Sequence, residues 1–125
     1  MSTRVLLVED NPQVETQLRE ELSAIAGVEV AHTARTPSTA SAWLEQNPTG
    51  WDLAVIDIFL QDGHGFDVLR ACSELHPDKP AVLLTNYTRD PVRARAAALG
   101  ADAVFDKSFE LDEFLAYCSG LASGT

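Results

Sequence analysis

An α/β fold, a parallel sheet covered by helices, is what this sequence predicts. Short apolar runs bounded by turn signals alternate five times with longer segments of helical period. The third run, Leu53 to Ile56, is apolar at every position, the pattern of a strand covered on both faces. At 125 residues and 46% apolar content, the chain is sized for a single domain, 1–125, with a sizeable core.

Val5 to Val8 reads as the first strand. Pro12 then suits the first turn of a helix whose apolar stripe runs Val14, Leu18, Leu22 and Ile25, until Gly27 stops it. Val28 to Ala31 is a short second strand. Thr36 is placed to cap a helix that starts at Pro37, carries Ala40, Trp43 and Leu44, and ends before the Asn47-Pro48 and Thr49-Gly50 turn signals. After the strand Leu53 to Ile56, a loop with Gly63 and Gly65 leads to a helix presenting Phe66, Leu69, Cys72 and Leu75, closed by His76-Pro77. Ala81 to Leu84 is the fourth strand, followed by an alanine-rich helix from about Pro91 to Leu99 that stops at Gly100. Ala103 to Phe105 is the fifth. The last helix, Leu111 to about Cys118, repeats Leu111, Phe114, Leu115 and Cys118 at helical spacing, and Ser119 to Thr125 read as a frayed end.

Nine basic against nineteen acidic residues leave a net charge of -10, which repels nucleic acid and anionic membrane surfaces and favours cations and basic partners. No apolar stretch approaches the ~20 residues of a membrane span, and Met1 to Arg4 run into a strand without a secretory core, so a cytoplasmic protein is expected. Cys72 and Cys118 fall on apolar helix positions and are expected to be buried thiols. Trp43 and Trp51 read as packing residues, His64 as a solvated loop residue, and His32 and His76 have no partner spacing.

In an open parallel sheet, ligands bind outside the carboxyl ends of the strands. Those ends carry Glu9 and Asp10, then Asp57, Thr85 and Lys107. Like charges crowded together are costly unless a cation neutralises them, and an all-oxygen set with few protein ligands suits Mg2+. Asp57 is then placed both to ligate the metal and to act as a nucleophile. Lys107 and the Thr85 hydroxyl would surround the oxygens of a phosphoryl group transferred to it. Taken singly, Glu9 and Asp10 also read as helix caps and Asp57 as a turn former. The bland account needs a coincidence at each of several strand ends.

VLLVED, VIDIFLQDGHG, VLLTN and GADAVFDKS, in that order, resemble the acidic pair, phosphoacceptor loop, hydroxyl strand and lysine strand of the receiver domain of two-component response regulators. The resemblance covers essentially the whole chain. It implies a five-stranded parallel sheet of order 2-1-3-4-5 in a flavodoxin-like, doubly wound three-layer α/β/α fold. It also implies Asp57 as phosphoacceptor, Thr85 and Lys107 as phosphoryl-binding residues, and Asp10, Asp57, Glu9 (largely through water) and the Phe59 backbone carbonyl around Mg2+. The implied partners are a sensor histidine kinase or histidine phosphotransfer protein, and a downstream protein bound through the face of the fourth helix, fifth strand and fifth helix, including Arg93, Arg95 and Phe114.

The chain departs from that family's pattern at several positions. Gln61 replaces a proline, Asn86 a small residue after the hydroxyl, and Val104 the aromatic whose rotation reports phosphorylation. Phe105, its neighbour, should face the other side of the strand, which leaves Tyr87 as a substitute. Lys107-Ser108 replaces a Lys-Pro that is usually cis, and a trans bond is expected here. Phe59 and Tyr87 stand at two positions that influence acyl phosphate hydrolysis, and their bulk suggests a shield against water. The rival functions are a phosphorylation-independent interaction domain and a Mg2+-dependent phosphohydrolase. The second is disfavoured because Phe59, two residues after the nucleophile, has no proton to donate.

Overall fold

A computed structural model describes residues 2–124. In chain order the elements are β1 (Thr3–Val8), α1 (Pro12–Ser23), β2 (Val28–Ala34), α2 (Pro37–Gln46), β3 (Leu53–Ile56), β4 (Phe59–Leu60), β5 (Gly63–His64), α3 (Gly65–Leu75), β6 (Ala81–Thr85), α4 (Asp90–Ala98), β7 (Ala103–Asp106) and α5 (Leu111–Ala122). Five strands form one sheet of order β2-β1-β3-β6-β7, paired in parallel throughout. Counted along the main sheet alone, this is the expected order, second, first, third, fourth, fifth.

Side chains alternate across the strands and build a core on each face. Leu6 and Val8 of β1, Ala54 and Ile56 of β3, and Leu83 of β6 pack with Ala40 and Leu44 of α2, Val68 and Leu69 of α3, and Ala96 of α4. On the other face Val5, Leu7, Leu53, Val55, Val82 and Leu84 pack with Leu18 and Leu22 of α1 and Phe114 and Cys118 of α5. The three layers follow from that division. The winding direction reverses between β1 and β3, where the carboxyl ends of neighbouring strands open between α1 and the β3–α3 connection.

Two helix starts are set by local chemistry. Asn11 caps α1, its side chain accepting from the Gln13 and Val14 N–H groups at 2.9 and 3.2 Å. Thr36 caps α2 reciprocally with Thr39, as its position predicts. Because Asn11 supplies the α1 cap, Glu9 and Asp10 are not consumed in that role.

Several expectations need correction. β2 continues to Ala34, not Ala31, because His32 to Ala34 keep pairing with Leu6 to Val8 although their polar side chains break the apolar run. The β3–α3 connection contains a small antiparallel ribbon, Phe59 against His64 and Leu60 against Gly63, where only a loop is predicted. α5 extends to Ala122, with Leu121 and Ala122 packed on the second core, so Ser119 to Ala122 are not frayed; Thr125 lies outside the described residues. Leu75 is 48% exposed at the end of α3, past the sheet it was expected to cover.

The thiols behave as expected: Cys72 and Cys118 are free and buried, and burial pushes both up to about 12. His32 stacks on Trp43 with centroids 5.0 Å apart, and His76 meets Trp51 edge-on at 5.4 Å, pairings that their spacing along the chain does not reveal. Among the described residues no helix is long and apolar enough to cross a membrane.

Candidate functional site

β1 and β3 are paired with Val8 opposite Ile56, so Glu9 and Asp57 leave adjacent strands at the same level. The ladder continues one step past each strand: Asp57 N–H donates to the Val8 carbonyl at 3.0 Å and Glu9 N–H to the Ala34 carbonyl at 2.9 Å. Glu9 is thereby held inside the protein, 2% exposed, with a carboxylate oxygen accepting from Asn11 N–H at 3.1 Å. Asp10 points toward the opening and is half-buried. Oxygens of Glu9, Asp10 and Asp57 all lie within 4.8 Å of one another.

Lys107, just beyond β7, reaches into this cluster. Its Nζ donates to Asp57 Oδ2 at 2.9 Å and makes a close bond to Glu9 Oε1. Its backbone N–H donates to the Thr85 carbonyl at 3.0 Å, which ties it to the end of β6. Asp57 Oδ1 accepts from Ile58 N–H at 2.8 Å, so that oxygen is aimed by the backbone and the other by the lysine. Thr85 is fully buried, and its hydroxyl oxygen accepts from Tyr87 N–H at 3.3 Å.

The electrostatics of the cluster are those of a crowded anionic pocket with one resident cation. Burial pushes the Glu9 carboxyl above its ordinary range, and the Asp57 charge adds to this, against the bonds from Lys107 and Asn11. Burial alone would pull Lys107 down, but the bonds to Glu9 and Asp57 outweigh it and hold the ammonium above its usual value. An all-oxygen cluster of carboxylates at the mouth of the sheet, with neither thiol nor imidazole among its donors, fits a hard divalent cation such as Mg2+.

The loop that delivers Asp57 depends on Gly65. A Cβ there would stand 1.9 Å from the Asp57 carbonyl oxygen and 2.7 Å from Ile56 Cγ2, and Gly65 N–H donates to the Ile58 carbonyl at 2.6 Å. The chain folds back this tightly through the β4–β5 ribbon, whose turn places Asp62 at φ 58°. Phe59 rides on that ribbon, 55% exposed, with its ring edge-on to Tyr87 at 4.5 Å between centroids. His64 meets Phe66 at 5.8 Å and lies 3.9 Å from Asp67, on the outer side of the ribbon.

Of the residues singled out at the strand ends, Glu9, Asp10, Asp57 and Lys107 therefore meet in one cluster, and Thr85 is joined to it through the Lys107 backbone. Val104 packs with the α2–α3–α4 core while Phe105 meets Phe114 and Tyr117 on the other side, as the strand alternation requires. No peptide bond among the described residues is cis, in line with the expectation for Lys107–Ser108. One assignment is wrong: Phe114 is fully buried against Phe105 and belongs to the core, not to an accessible face. Arg95 lies over the Phe66 ring at 4.9 Å and faces α3.

A polar seam between the β6–α4 and β7–α5 loops has no counterpart in the sequence reading. Arg93 donates to the Thr88 and Val104 carbonyls at 2.8 and 3.2 Å and to Glu110 Oε1 at 3.1 Å. Glu110 also accepts from Asp106 N–H at 3.0 Å, and Thr88 Oγ1 donates to Asp106 Oδ2 at 3.1 Å. The contacts of Arg93 with Val104 and Glu110 and of Thr88 with Asp106 join residues 11 to 18 positions apart along the chain, beyond the reach of any local pattern.

Comparison with known proteins bears on the same residues. The family model for the response regulator receiver domain matches residues 5–119. The transcriptional regulatory protein TrcR of Mycobacterium tuberculosis is 36% identical over 121 residues, covering 94% of this chain and 44% of that protein. The chain spans about half the length of the curated relatives it matches, 48% of KdpE from M. tuberculosis being a second instance. Among solved structures, the non-phosphorylated HemR receiver domain from Leptospira biflexa is 34% identical with a TM-score of 0.84, covering 98% of this chain and 95% of that one. A LuxR-family response regulator from Aurantimonas sp. superposes with a TM-score of 0.88 at 21% identity, over 99% of this chain and 87% of that one, a likeness of fold.

Proposed function

This chain belongs to the response regulator receiver domain family, and from that premise we propose that it is a phosphorylation-dependent switch in which Asp57 accepts a phosphoryl group from a phosphohistidine. The observation that carries the reading is the convergence of Asp57, Glu9 and Asp10 within 4.8 Å, with Lys107 bonded to two of them. The donor is a sensor histidine kinase or a histidine phosphotransfer protein. The whole chain, 1–125, acts as one receiver in the cytoplasm.

Asp57 Oδ2 attacks phosphorus in line with the leaving imidazole nitrogen; the new phosphorus–oxygen bond forms as the phosphorus–nitrogen bond breaks, and the imidazole keeps the electron pair. Oδ1 stays on the Ile58 N–H, which fixes the angle of attack. Lys107 transfers its bond from the Asp57 oxygen to a phosphoryl oxygen, and the Thr85 hydroxyl, while accepting from Tyr87 N–H, donates to another. Asp10, Asp57, Glu9 and the Phe59 backbone carbonyl would hold Mg2+, which would neutralise the carboxylates and the transferred group when bound.

The chain is a phosphoacceptor that assists its own phosphorylation and dephosphorylation rather than an enzyme turning over outside substrates. Phe59 and Tyr87, ring against ring beside the pocket, keep water from the acyl phosphate. Replacing either by serine shortens the lifetime of the phosphorylated form; an unchanged decay rate contradicts the shield. Output passes through α4, β7 and α5 to another protein, with Arg93 at the junction.

Acetyl phosphate with Mg2+, read by intact mass, tests the reading. The wild-type chain gains the mass of one phosphoryl group, and Asp57→Ala or added chelator abolishes the gain. Labelling of Asp57→Ala, or none in the wild type, contradicts it.

A further inference from the structure

The last paired residues of β6 and β7 are Thr85 and Asp106. One more backbone bond, from Lys107 N–H to the Thr85 carbonyl at 3.0 Å, carries the ladder to Lys107. Farther from the site, Thr88 on Asp106 and Arg93 on Val104 and Glu110 tie the same two loops. Next to the site, this one backbone bond joins the residues that carry the hydroxyl and the ammonium.

One residue further along each loop a second bond closes the gap: Ser108 Oγ donates to Asn86 Oδ1 at 3.0 Å. Both ends of this bond are braced. Ser108 and Phe109 donate their N–H groups to Asp106 Oδ1 at 2.8 and 3.1 Å, which sets the turn carrying Ser108. Tyr87 N–H on Thr85 Oγ1 sets the turn carrying Asn86. Thr85, Asn86, Ser108 and Lys107 thus form a closed ring with a backbone bond on one side and a side-chain bond on the other.

Asn86 and Ser108 are both exposed, so their bond contributes little to holding the core together. Its mechanical effect is different: it adds a second point of attachment beside the first, at the end of the ladder nearest the site. We propose that Asn86 and Ser108 are a positioning latch for phosphoryl transfer, which keeps the loop after Thr85 fastened to the loop carrying Lys107. The hydroxyl and the ammonium then reach the phosphoryl oxygens as a unit. The two residues act through Thr85 and Lys107, and the inference rests on Asp57 as phosphoacceptor.

The test is a double-mutant cycle on the rate at which acetyl phosphate phosphorylates Asp57, with Asn86→Ala, Ser108→Ala, the pair together, and Ser108→Thr, which keeps the hydroxyl. Loss of one exposed hydrogen bond at the reacting centre slows each single variant roughly 2- to 10-fold. The double variant is no slower than the slower single, Ser108→Thr stays near the wild-type rate, and the thermal midpoints of all four are alike. Single effects that multiply in the double variant, or rates that do not change at all, overturn the latch while leaving Asp57 as acceptor intact. A wild-type chain that takes up no phosphoryl group removes the acceptor and the latch with it.

Discussion

Glu9 stands inside the protein with Lys107 against it. Burial raises its carboxyl above the ordinary value, and a group raised in this way favours the fold when protonated, a contribution lost as pH rises through the raised value. Lys107 works in the other sense. Its raised ammonium stabilises the fold below its usual 10.5, and that contribution is lost only as pH climbs through the raised value. The lysine thereby opposes the cost of burying the Glu9 carboxylate. Lys107→Met is expected to destabilise the protein by about 2–3 kcal/mol near neutral pH, somewhat less than for a fully enclosed pair because Lys107 is 15% exposed. The gap to wild type narrows as pH falls into the raised range of Glu9. Urea unfolding of both proteins at a series of pH values measures this; a gap that stays constant contradicts it. The chemical residues were legible because each stands at the carboxyl end of an apolar run, where only a site or a turn has use for it. Phe114 was misplaced because helical spacing reports a face of the helix and not which neighbour covers that face.

At the level of elements, the seam centred on Arg93 ties the β6–α4 loop to β7 and the start of α5. The guanidinium spans the Thr88 carbonyl of the β6–α4 loop, the Val104 carbonyl of β7 and the Glu110 carboxylate at the start of α5. Thr88 lies three residues beyond Thr85, so the seam is anchored close to the end of β6. Arg93→Ala is expected to cost about 1 kcal/mol, since the ion pair with Glu110 is partly exposed while the carbonyl bonds are lost with it. Arg93→Lys does not restore the loss, because a single ammonium cannot span three acceptors set around a planar fork. Thermal unfolding of the two variants checks both statements, and full recovery in Arg93→Lys contradicts the second. The same scale shows why some elements escaped the sequence. Two-residue strands such as β4 and β5 are too short to carry a period, and β2 keeps its backbone pairing through His32 and Thr33 after its apolar signal has ended. The cap at Thr36 and the stop at Gly100 are single-residue signals that marked their helices well, whereas α1 ends at Ser23, before Ile25 and the expected stop at Gly27.

For the molecule as a whole, two cores grip opposite faces of a sheet and leave its carboxyl edge open, so that the site is formed by loops while the strands that aim them are rigid. The chain carries a net charge of -10, which favours divalent cations and basic surfaces as partners. The fold class was legible from five alternations of period, because parallel strands need helical crossovers and little else satisfies that pattern. The partner and the regulated process leave no such mark, since recognition depends on surface shape and not on the residues that build the core. A crystal structure grown with Mg2+ and beryllofluoride, a mimic of the phosphoryl group, tests the central claim most directly. It should show one metal ion ligated by Asp10, Asp57 and the Phe59 carbonyl, and the beryllium on Asp57 with Thr85 and Lys107 on its fluorines. A metal bound elsewhere, or an Asp57 left unmodified with Lys107 still on Glu9, would contradict it.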